Sequence, residues 1–289
     1  MRNDRFFKLF SISLLSLWLV IFALIPLLST LGLSFLSVDD NHFFKWPLTL
    51  ANYGQVLDPL FLHIISRSLY MSIFTTLICL LLAYPFAYIL AQLPAGVKPF
   101  LLCLMIIPFW TSSIIRIYAI MALIKTRGIL NTVLLHVGII HQPLHLLFTQ
   151  YAVFIGLVYN LLPYMILPIY TNIDKLDKRL IDAARDLGAN RLTIFLKILL
   201  PITLPGILAG VILVFLPTMT LFFIPDLLGG AQSMLLGNLI NVQMLTLRNW
   251  PLGCATSMVL TCLMFVFLGL QHYIQQHSSS TGKQAAGQR

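Results

Sequence analysis

Long apolar runs alternate with short polar segments along almost the whole chain. An α-helix needs about 20 apolar residues to cross a bilayer, and six runs reach that length. They cover residues 10–35, 65–91, 100–124, 149–173, 198–225 and 254–274. The pattern predicts an all-α integral membrane protein with six transmembrane helices and a membrane domain over residues 1–276. Residues 277–289 are rich in serine, glycine and glutamine, and we expect them to form a disordered tail.

The composition agrees with this class and excludes a soluble domain. Of the 289 residues, 59% are hydrophobic and only 9% are charged, which is far less charge than soluble domains carry. The net charge of +9 is dispersed between the apolar runs, which favours a topological role over nucleic-acid binding. The four cysteines lie within apolar runs and lack the spacing of metal ligands, so we expect no disulfide and no metal site from them.

The distribution of lysine and arginine predicts the orientation, because cytoplasmic loops carry the excess of these residues. With the amino terminus in the cytoplasm, 12 of the 18 basic residues fall on the cytoplasmic side, five fall outside and Arg116 lies within a span. This orientation places both termini, including the tail, in the cytoplasm. It also places the loop 174–197 there.

The loop 174–197 has a helical pattern of its own. Apolar residues recur at helical spacing at Leu176, Leu180, Ala184 and Leu187. Gly188 permits a left-handed backbone, and Asn190 is a suitable N-cap for a second helix beginning near Arg191. Periodicity alone leaves two interpretations open. The first helix either lies on the membrane surface or docks into a groove on another protein.

The same stretch carries a spaced motif. The motif begins with an acidic residue and two alanines. Three residues separate the second alanine from a glycine, nine separate this glycine from an isoleucine, and one separates the isoleucine from a Leu-Pro pair. The residues are Asp182, Ala183, Ala184, Gly188, Ile198, Leu200 and Pro201. This motif resembles the EAA loop of ABC importer permeases, with Asp182 where glutamate is usual. The resemblance implies the type I importer permease fold and a coupling helix through which these seven residues dock to an ATPase.

Other stretches resemble the B-type permease subunits of polyamine (spermidine/putrescine) importers. They are LANYGQVLDPLF (50–61), PFWTSSIIRIYAI (108–120), GLVYNLLPYMILPIY (156–170) and DLLGGAQSMLLGNLI (226–240). The resemblance implies a multi-pass protein of the bacterial inner membrane, surrounded by lipid. It also implies three partners: an ABC ATPase dimer, a second homologous permease, and a periplasmic or extracellular polyamine-binding protein.

We expect no catalytic residue and no cofactor in this chain. It lacks the G-x-x-x-x-G-K-[ST] loop that cradles nucleotide phosphates, because Gly282-Lys283 is followed by Gln284 and has no glycine at the required position upstream. The resemblance therefore implies that ATP and Mg²⁺ bind to the partner ATPase. His136, His141 and His145 do not predict a metal site, because Pro143 interrupts their helical spacing.

Polyamines are cations, and a path for them should offer carboxylates and aromatic faces. Asp226, Trp110 and Tyr118 are the candidate path residues. Alternatively, Asp226 lies at the outer interface and caps a turn, and the two aromatic residues anchor the chain at the membrane surface. Arg116 is expected to pair with an acidic residue or with backbone carbonyls.

Three other functions remain open at this level. A permease of the same family could carry another small solute, such as an amino acid, sulfate or iron. A secondary transporter would need its own ion site, usually with internal repeats, and the halves of this chain show no repeat. A membrane-embedded enzyme would need paired catalytic groups at membrane depth, for which only Asp226 and the histidines are available.

Overall fold

The computed structural model describes residues 2–38 and 45–286, and within these ranges most residues are helical. Six stretches are long and apolar enough to cross a membrane: Ile12–Ser34, Pro59–Gln92, Ser113–His136, Gln150–Asp174, Arg191–Thr220 and Trp250–Gln276. The predicted all-α class with six transmembrane helices is therefore confirmed for the described part of the chain.

The helices are, in chain order, α1 (Arg2–Leu19), α2 (Ile25–Ser34), α3 (Ala51–Val56), α4 (Pro59–Gln92), α5 (Lys98–Ile106), α6 (Ser113–Ile124), α7 (Ile129–His136), α8 (Gln150–Asp174), α9 (Lys178–Asp186), α10 (Arg191–Ile194), α11 (Leu200–Thr220), α12 (Leu236–Asn241) and α13 (Trp250–Ala286). Short π-helical or 3₁₀ segments join or extend them at Val20–Leu24, Ile107–Trp110, Phe195–Leu199, Pro225–Gly229, Gly230–Ser233 and Val242–Thr246. Two short strands, β1 (Leu36–Ser37) and β2 (Lys45–Leu48), pair antiparallel, with Leu36 opposite Leu48.

The chain divides into two compact units, Met1–His63 with Leu239–Leu263 and Ile64–Asn238 with Met264–Arg289. In the first unit, the buried Asn52 donates from Nδ2 to the backbone oxygens of Ser34 (2.9 Å) and Leu36 (2.8 Å). The hydroxyls of Ser34 and Tyr53 share a further hydrogen bond of 2.7 Å. These bonds fix α3 to the end of α2 and to β1.

One core cluster of the second unit is formed by α4, α8 and α11. Small and medium side chains fill it, including Ala83, Ala87, Leu161, Met165, Ile169 and Val214. A Cβ on Gly206 of α11 would lie 2.6 Å from the backbone oxygen of Pro168 on α8. Small residues let the backbones of membrane helices approach closely, so Gly206 is required for the packing of α11 on α8.

The third apolar run differs from the expected continuous span over 100–124. Helix α5 ends at Ile106 and a 3₁₀ turn follows over Ile107–Trp110, after which α6 begins at Ser113. Pro108 cannot donate a backbone hydrogen bond, and Thr111 adopts an extended backbone. The membrane-crossing candidate here is consequently Ser113–His136, which is displaced towards the carboxyl terminus.

Two further boundaries differ from the expectations. The expected fifth span, 198–225, is helical from Arg191 and ends at Thr220, because Leu221 adopts an extended backbone. Residues 277–289 were expected to form a disordered tail, but α13 continues to Ala286. This stretch contains no proline to end the helix. Residues 287–289 lie outside the described part of the chain.

Candidate functional site

The loop 174–197, called the coupling loop below, forms a short helix, a bend and a second helix. Asp177 caps α9, since its Oδ1 accepts a hydrogen bond from the backbone N–H of Arg179 at 3.0 Å. Gly188 has a φ of +79°, and Asn190 Oδ1 accepts from the N–H of Thr193 at 2.7 Å as the N-cap of α10. The predicted bend at Gly188 and cap at Asn190 are thus confirmed. The cap at Asp177 was missed, although an aspartate before a helix is a usual N-cap.

One face of α9 packs against the rest of its own unit. Ala184 is buried with Ile194 and Leu199, and Leu176 and Ile181 pack against this cluster. Ala184 is small because another part of the same chain lies against it. Its contacts are therefore internal ones, and the predicted docking role is not needed to explain its size.

A second apolar stripe, on α9 and the residue that follows it, faces away from that cluster. Leu180 is 50% exposed, Leu187 is 88% exposed, and Ala183 between them is exposed too. The predicted single stripe is wrong in this respect, because its members divide between two faces. Leu176 and Ala184 belong to the packed face, whereas Leu180 and Leu187 belong to the exposed one. We call Leu180, Ala183 and Leu187 the exposed stripe.

The seven predicted docking residues also divide by exposure. Asp182, Ala183, Gly188 and Pro201 are exposed, while Ala184 is buried and Ile198 and Leu200 are half-buried. Asp182 Oδ1 accepts from Arg185 Nη1 at 3.3 Å, with both side chains largely exposed. Ile198 packs against the cluster that contains Ala184. The motif therefore combines a surface with the internal contacts that hold this surface in place.

An ion pair joins the coupling loop to another helix. Lys98 Nζ lies 2.6 Å from Asp174 Oδ1, with the Lys98 side chain half-buried and the Asp174 side chain exposed. Lys98 is the first residue of α5, and Asp174 is the last residue of α8. Sequence reasoning missed this pair, since the two residues are 76 positions apart and no spacing rule connects them.

Asp226 is exposed and lies in the π-helical turn that follows α11. Its carboxylate accepts a short hydrogen bond from Nδ2 of Asn238. Asn238 is buried, also donates to the backbone oxygen of Phe222 (2.7 Å), and accepts from the N–H of Leu235 (3.2 Å). Among the described residues Asp226 forms no ion pair. Its charge is consequently held in place by an amide and left uncompensated.

The other path candidates lie on the surface of the unit. Trp110 is 85% exposed and Tyr118 is 53% exposed. A cavity of about 540 Å³ is lined in part by residues that lie between the two in sequence. Its lining includes Ser112, Ser113, Asn160, Tyr164, Pro217 and Phe223. Neither aromatic residue nor Asp226 belongs to this lining. The structure does not unite the three candidates around one cavity.

Arg116 is buried beside that cavity, with 8% of its surface exposed. Its Nη2 donates to Ser113 Oγ (3.0 Å) and to Asn160 Oδ1 (3.3 Å), and its guanidinium lies 4.4 Å from the ring centre of Phe109. The expected acidic or backbone partner is not found among the described residues. The partners of Arg116 are instead two neutral side chains and an aromatic ring. Nε and Nη1 of Arg116 remain without hydrogen-bond partners within the described chain.

The histidines do not gather into a metal site. No group of three or more metal-binding side chains occurs within the ranges 2–38 and 45–286. His136 ends α7, and His145 lies 3.4 Å from the hydroxyl of Thr126 through Nδ1.

Residues 46–279 match the protein family described as "Binding-protein-dependent transport system inner membrane component". The chain belongs to this family. It is 52% identical over 251 residues to the spermidine/putrescine transport system permease protein PotB of Escherichia coli (strain K12), covering 87% of this chain and 91% of that protein. The protein of the same name from Haemophilus influenzae is 47% identical over 266 residues, covering 92% and 93%.

A solved structure supports the fold of the permease. The chain superposes on a bacterial alginate ABC transporter, in complex with an alginate pentasaccharide-bound periplasmic protein, with a TM-score of 0.76 at 15% identity. The match covers 95% of this chain and 96% of the other. The permease therefore has the predicted ABC importer permease fold, and it is a multi-pass protein of the inner membrane.

Proposed function

We propose that the permease forms half of the translocation path of an ATP-driven importer for the polyamines spermidine and putrescine. The observation that carries this proposal is the identity of 47% to 52% with proteins named for spermidine/putrescine transport. It extends over 87% to 92% of the chain, so it includes both the coupling loop and the region around Asp226.

The proposed complex contains three further kinds of subunit. They are a second homologous permease, an ABC ATPase dimer and an external polyamine-binding protein. ATP and Mg²⁺ bind to the ATPases, and this chain performs no catalysis. Binding of ATP draws the ATPases together and turns the path outward, and hydrolysis resets it inward. Nucleotide thereby shifts the population of two states of the path.

The exposed stripe supports docking to the ATPase. Leu180 and Leu187, which are 50% and 88% exposed, form with Ala183 an apolar patch in an otherwise charged loop, and such patches mark surfaces that bind a partner. Leu180, Ala183 and Leu187 follow the spacing of three and four residues by which an amphipathic helix enters a groove. Within the motif, Ala183 and Gly188 would touch the ATPase, while Ala184, Ile198 and Leu200 would hold the helix at the required angle.

Asp226 supports a cationic substrate. A carboxylate fixed by Asn238 and uncompensated by any lysine or arginine of the described chain attracts a protonated amine. Trp110 and Tyr118 remain candidates for cation–π contacts only where the second permease completes the path, because each is largely exposed in this chain.

A permease for an anionic solute is the second candidate, and Arg116 favours it. Asn160 lines the cavity of about 540 Å³ and lies 3.3 Å from the Arg116 guanidinium. A cation bound in this cavity would be repelled by that charge, whereas an anion such as sulfate would be attracted. A polyamine path must therefore pass on the Asp226 side.

Uptake of labelled spermidine tests the proposal. The complete complex is reconstituted into vesicles with ATP inside and the binding protein outside. We expect ATP-dependent uptake that excess putrescine abolishes and excess sulfate leaves unchanged. Competition by sulfate alone would favour the anionic solute. Uptake without any ATPase would indicate a secondary transporter.

A further inference from the structure

A cavity with a volume of about 790 Å³ lies between α4, the coupling loop and the beginning of α11. Its size falls within the range of about 300–1,000 Å³ that is usual for sites binding small organic ligands. Leu81 and Tyr88 of α4, Ile181 of α9, Phe195 and Ile207 are among its lining residues. We call it the basic groove, because its other distinctive lining residues are Arg185 and Arg191.

The groove extends along the inner half of the membrane. Leu81 and Gln92 both line it, and the helical rise of about 1.5 Å per residue separates them by roughly 16 Å. Gln92 ends α4 on the side that the distribution of lysine and arginine assigns to the cytoplasm. The hydrocarbon core of a bilayer is about 30 Å thick, so the groove reaches from the cytoplasmic surface to about the middle of the bilayer.

The two ends of the groove differ in chemistry. Its membrane end is formed by leucine, isoleucine and aromatic side chains. The lining of the groove includes no acidic residue of the described chain, and the carboxylates of Asp174 and Asp182 line a smaller adjoining cavity. Arg185 and Arg191 come from the coupling loop and are both exposed. Arg185 pairs only with the equally exposed Asp182, and Arg191 has no ion pair within the described chain. The cytoplasmic end is therefore positively charged and open to a ligand.

We propose that the basic groove binds an anionic phospholipid of the cytoplasmic leaflet. Its acyl chain would lie along Leu81 and Ile207, and its phosphate would bind to Arg185 and Arg191. A guanidinium matches the geometry of a phosphate and binds it through two parallel hydrogen bonds. The bound lipid would join the coupling loop to α4.

This inference rests on the location of the coupling loop at the inner membrane surface. It requires neither a polyamine substrate nor the docking of an ATPase. Failure of spermidine uptake would leave it intact, and failure of lipid binding would leave the proposed importer intact.

Native mass spectrometry of the purified complex tests the proposal, with added phosphatidylglycerol and phosphatidylcholine as probes. We expect retained phosphatidylglycerol and little phosphatidylcholine. Each of R185Q and R191Q should lower phosphatidylglycerol binding by about fivefold, since one basic residue near an anionic lipid surface contributes about that factor. R179Q is the matched control, because Arg179 is exposed on the same helix and does not line the groove. Equal binding of the two lipids, or unchanged binding in the double variant R185Q/R191Q, would overturn the proposal.

A second measurement separates lipid from a protein occupant. L81C in a background without the native cysteines places a reactive thiol in the groove, within the assembled complex. Labelling of this thiol by a thiol-reactive phosphatidylglycerol, in preference to the phosphatidylcholine analogue, supports the proposal. Cross-linking of L81C to the second permease, together with no selective lipid labelling, assigns the groove to that subunit and rejects the lipid.

Discussion

Lys98 Nζ lies 2.6 Å from Asp174 Oδ1, so the first residue of α5 is joined to the last residue of α8. Asp174 also begins the coupling loop, whose α9 starts at Lys178. Helix α9 is thus connected to the membrane helices through the end of α8, and also through its packing against Ile194 and Leu199. The ion pair provides a direct route from the end of α8 to α5.

We expect D174N and K98Q each to lower transport per ATP hydrolysed by several-fold, because α5 would no longer follow the end of α8. The direct effect on stability should be small, about 1 kcal/mol or less, because the pair is partly exposed. The measurement is spermidine uptake divided by ATP hydrolysis in reconstituted vesicles. The charge-reversed double variant K98D/D174K is the control and should recover part of the loss. Unchanged coupling in both single variants would remove this pair from the coupling route.

The exposed stripe gives a second prediction. L187S should weaken association of the permease with the ATPase by about tenfold or more, since a buried leucine contributes roughly 1.5–3 kcal/mol. It should leave the permease folded, because the Leu187 side chain is 88% exposed in the isolated chain. Co-purification of the ATPase and thermal denaturation of the permease measure the two effects separately. R179Q, on the same helix, is a suitable control, and equal co-purification of the two variants would contradict docking through this stripe.

Variants of the adjacent residues Ala183 and Ala184 can distinguish a docking surface from an internal contact. A184L should destabilise the permease by about 1–3 kcal/mol, because the added atoms have no room among Ile194 and Leu199. A183L should preserve stability and obstruct ATPase binding, because Ala183 is exposed. A184L should thus lower the thermal midpoint, whereas A183L should leave it unchanged and lower the co-purification of the ATPase. A loss of stability in A183L with none in A184L would reverse the assignment of the two faces.

The bend at Gly188 gives a fourth prediction, which depends on backbone conformation alone. A Cβ at this position would meet no atom within 4 Å, but φ is +79°. G188A should therefore cost about 1–2 kcal/mol through its left-handed backbone and reduce stimulation of the ATPase by the binding protein. G188N should be tolerated better, since asparagine adopts this conformation more readily. Equal activity of wild type and G188A would show that the bend is not required.

These residues also show which features a sequence can predict. The left-handed Gly188 and the cap at Asn190 depend on neighbours within three residues, so the local sequence was sufficient. The Lys98–Asp174 pair and the Asn238–Asp226 hydrogen bond join distant parts of the chain, and periodicity contains no information about them. The division of the α9 stripe was missed for the same reason. Both faces have helical spacing, and only the position of Ile194 and Leu199 decides which one is buried.

The interruption of the third apolar run has a related cause. The prediction of a span depends on the length and apolarity of a stretch, and residues 100–124 are both long and apolar enough. Helix α5 nevertheless ends at Ile106, and the 3₁₀ turn after it ends at Trp110, where Thr111 is extended and its hydroxyl donates to the backbone oxygen of Pro108 at 2.7 Å. Pro108 was visible in the sequence. Many membrane helices contain proline without ending, however, so its presence could not locate the break.

Asp226 gives the most direct prediction about the substrate. D226N removes the charge but retains an oxygen that can accept the hydrogen bond from Asn238 Nδ2, so the turn after α11 should remain intact. We expect spermidine uptake to fall by about tenfold or more, with complex assembly and basal ATP hydrolysis unchanged, because the protonated amines lose their carboxylate partner. D226A removes the hydrogen bond as well and should also lower the thermal midpoint, which separates the structural contribution from the electrostatic one. Wild-type uptake by D226N would exclude Asp226 from the path.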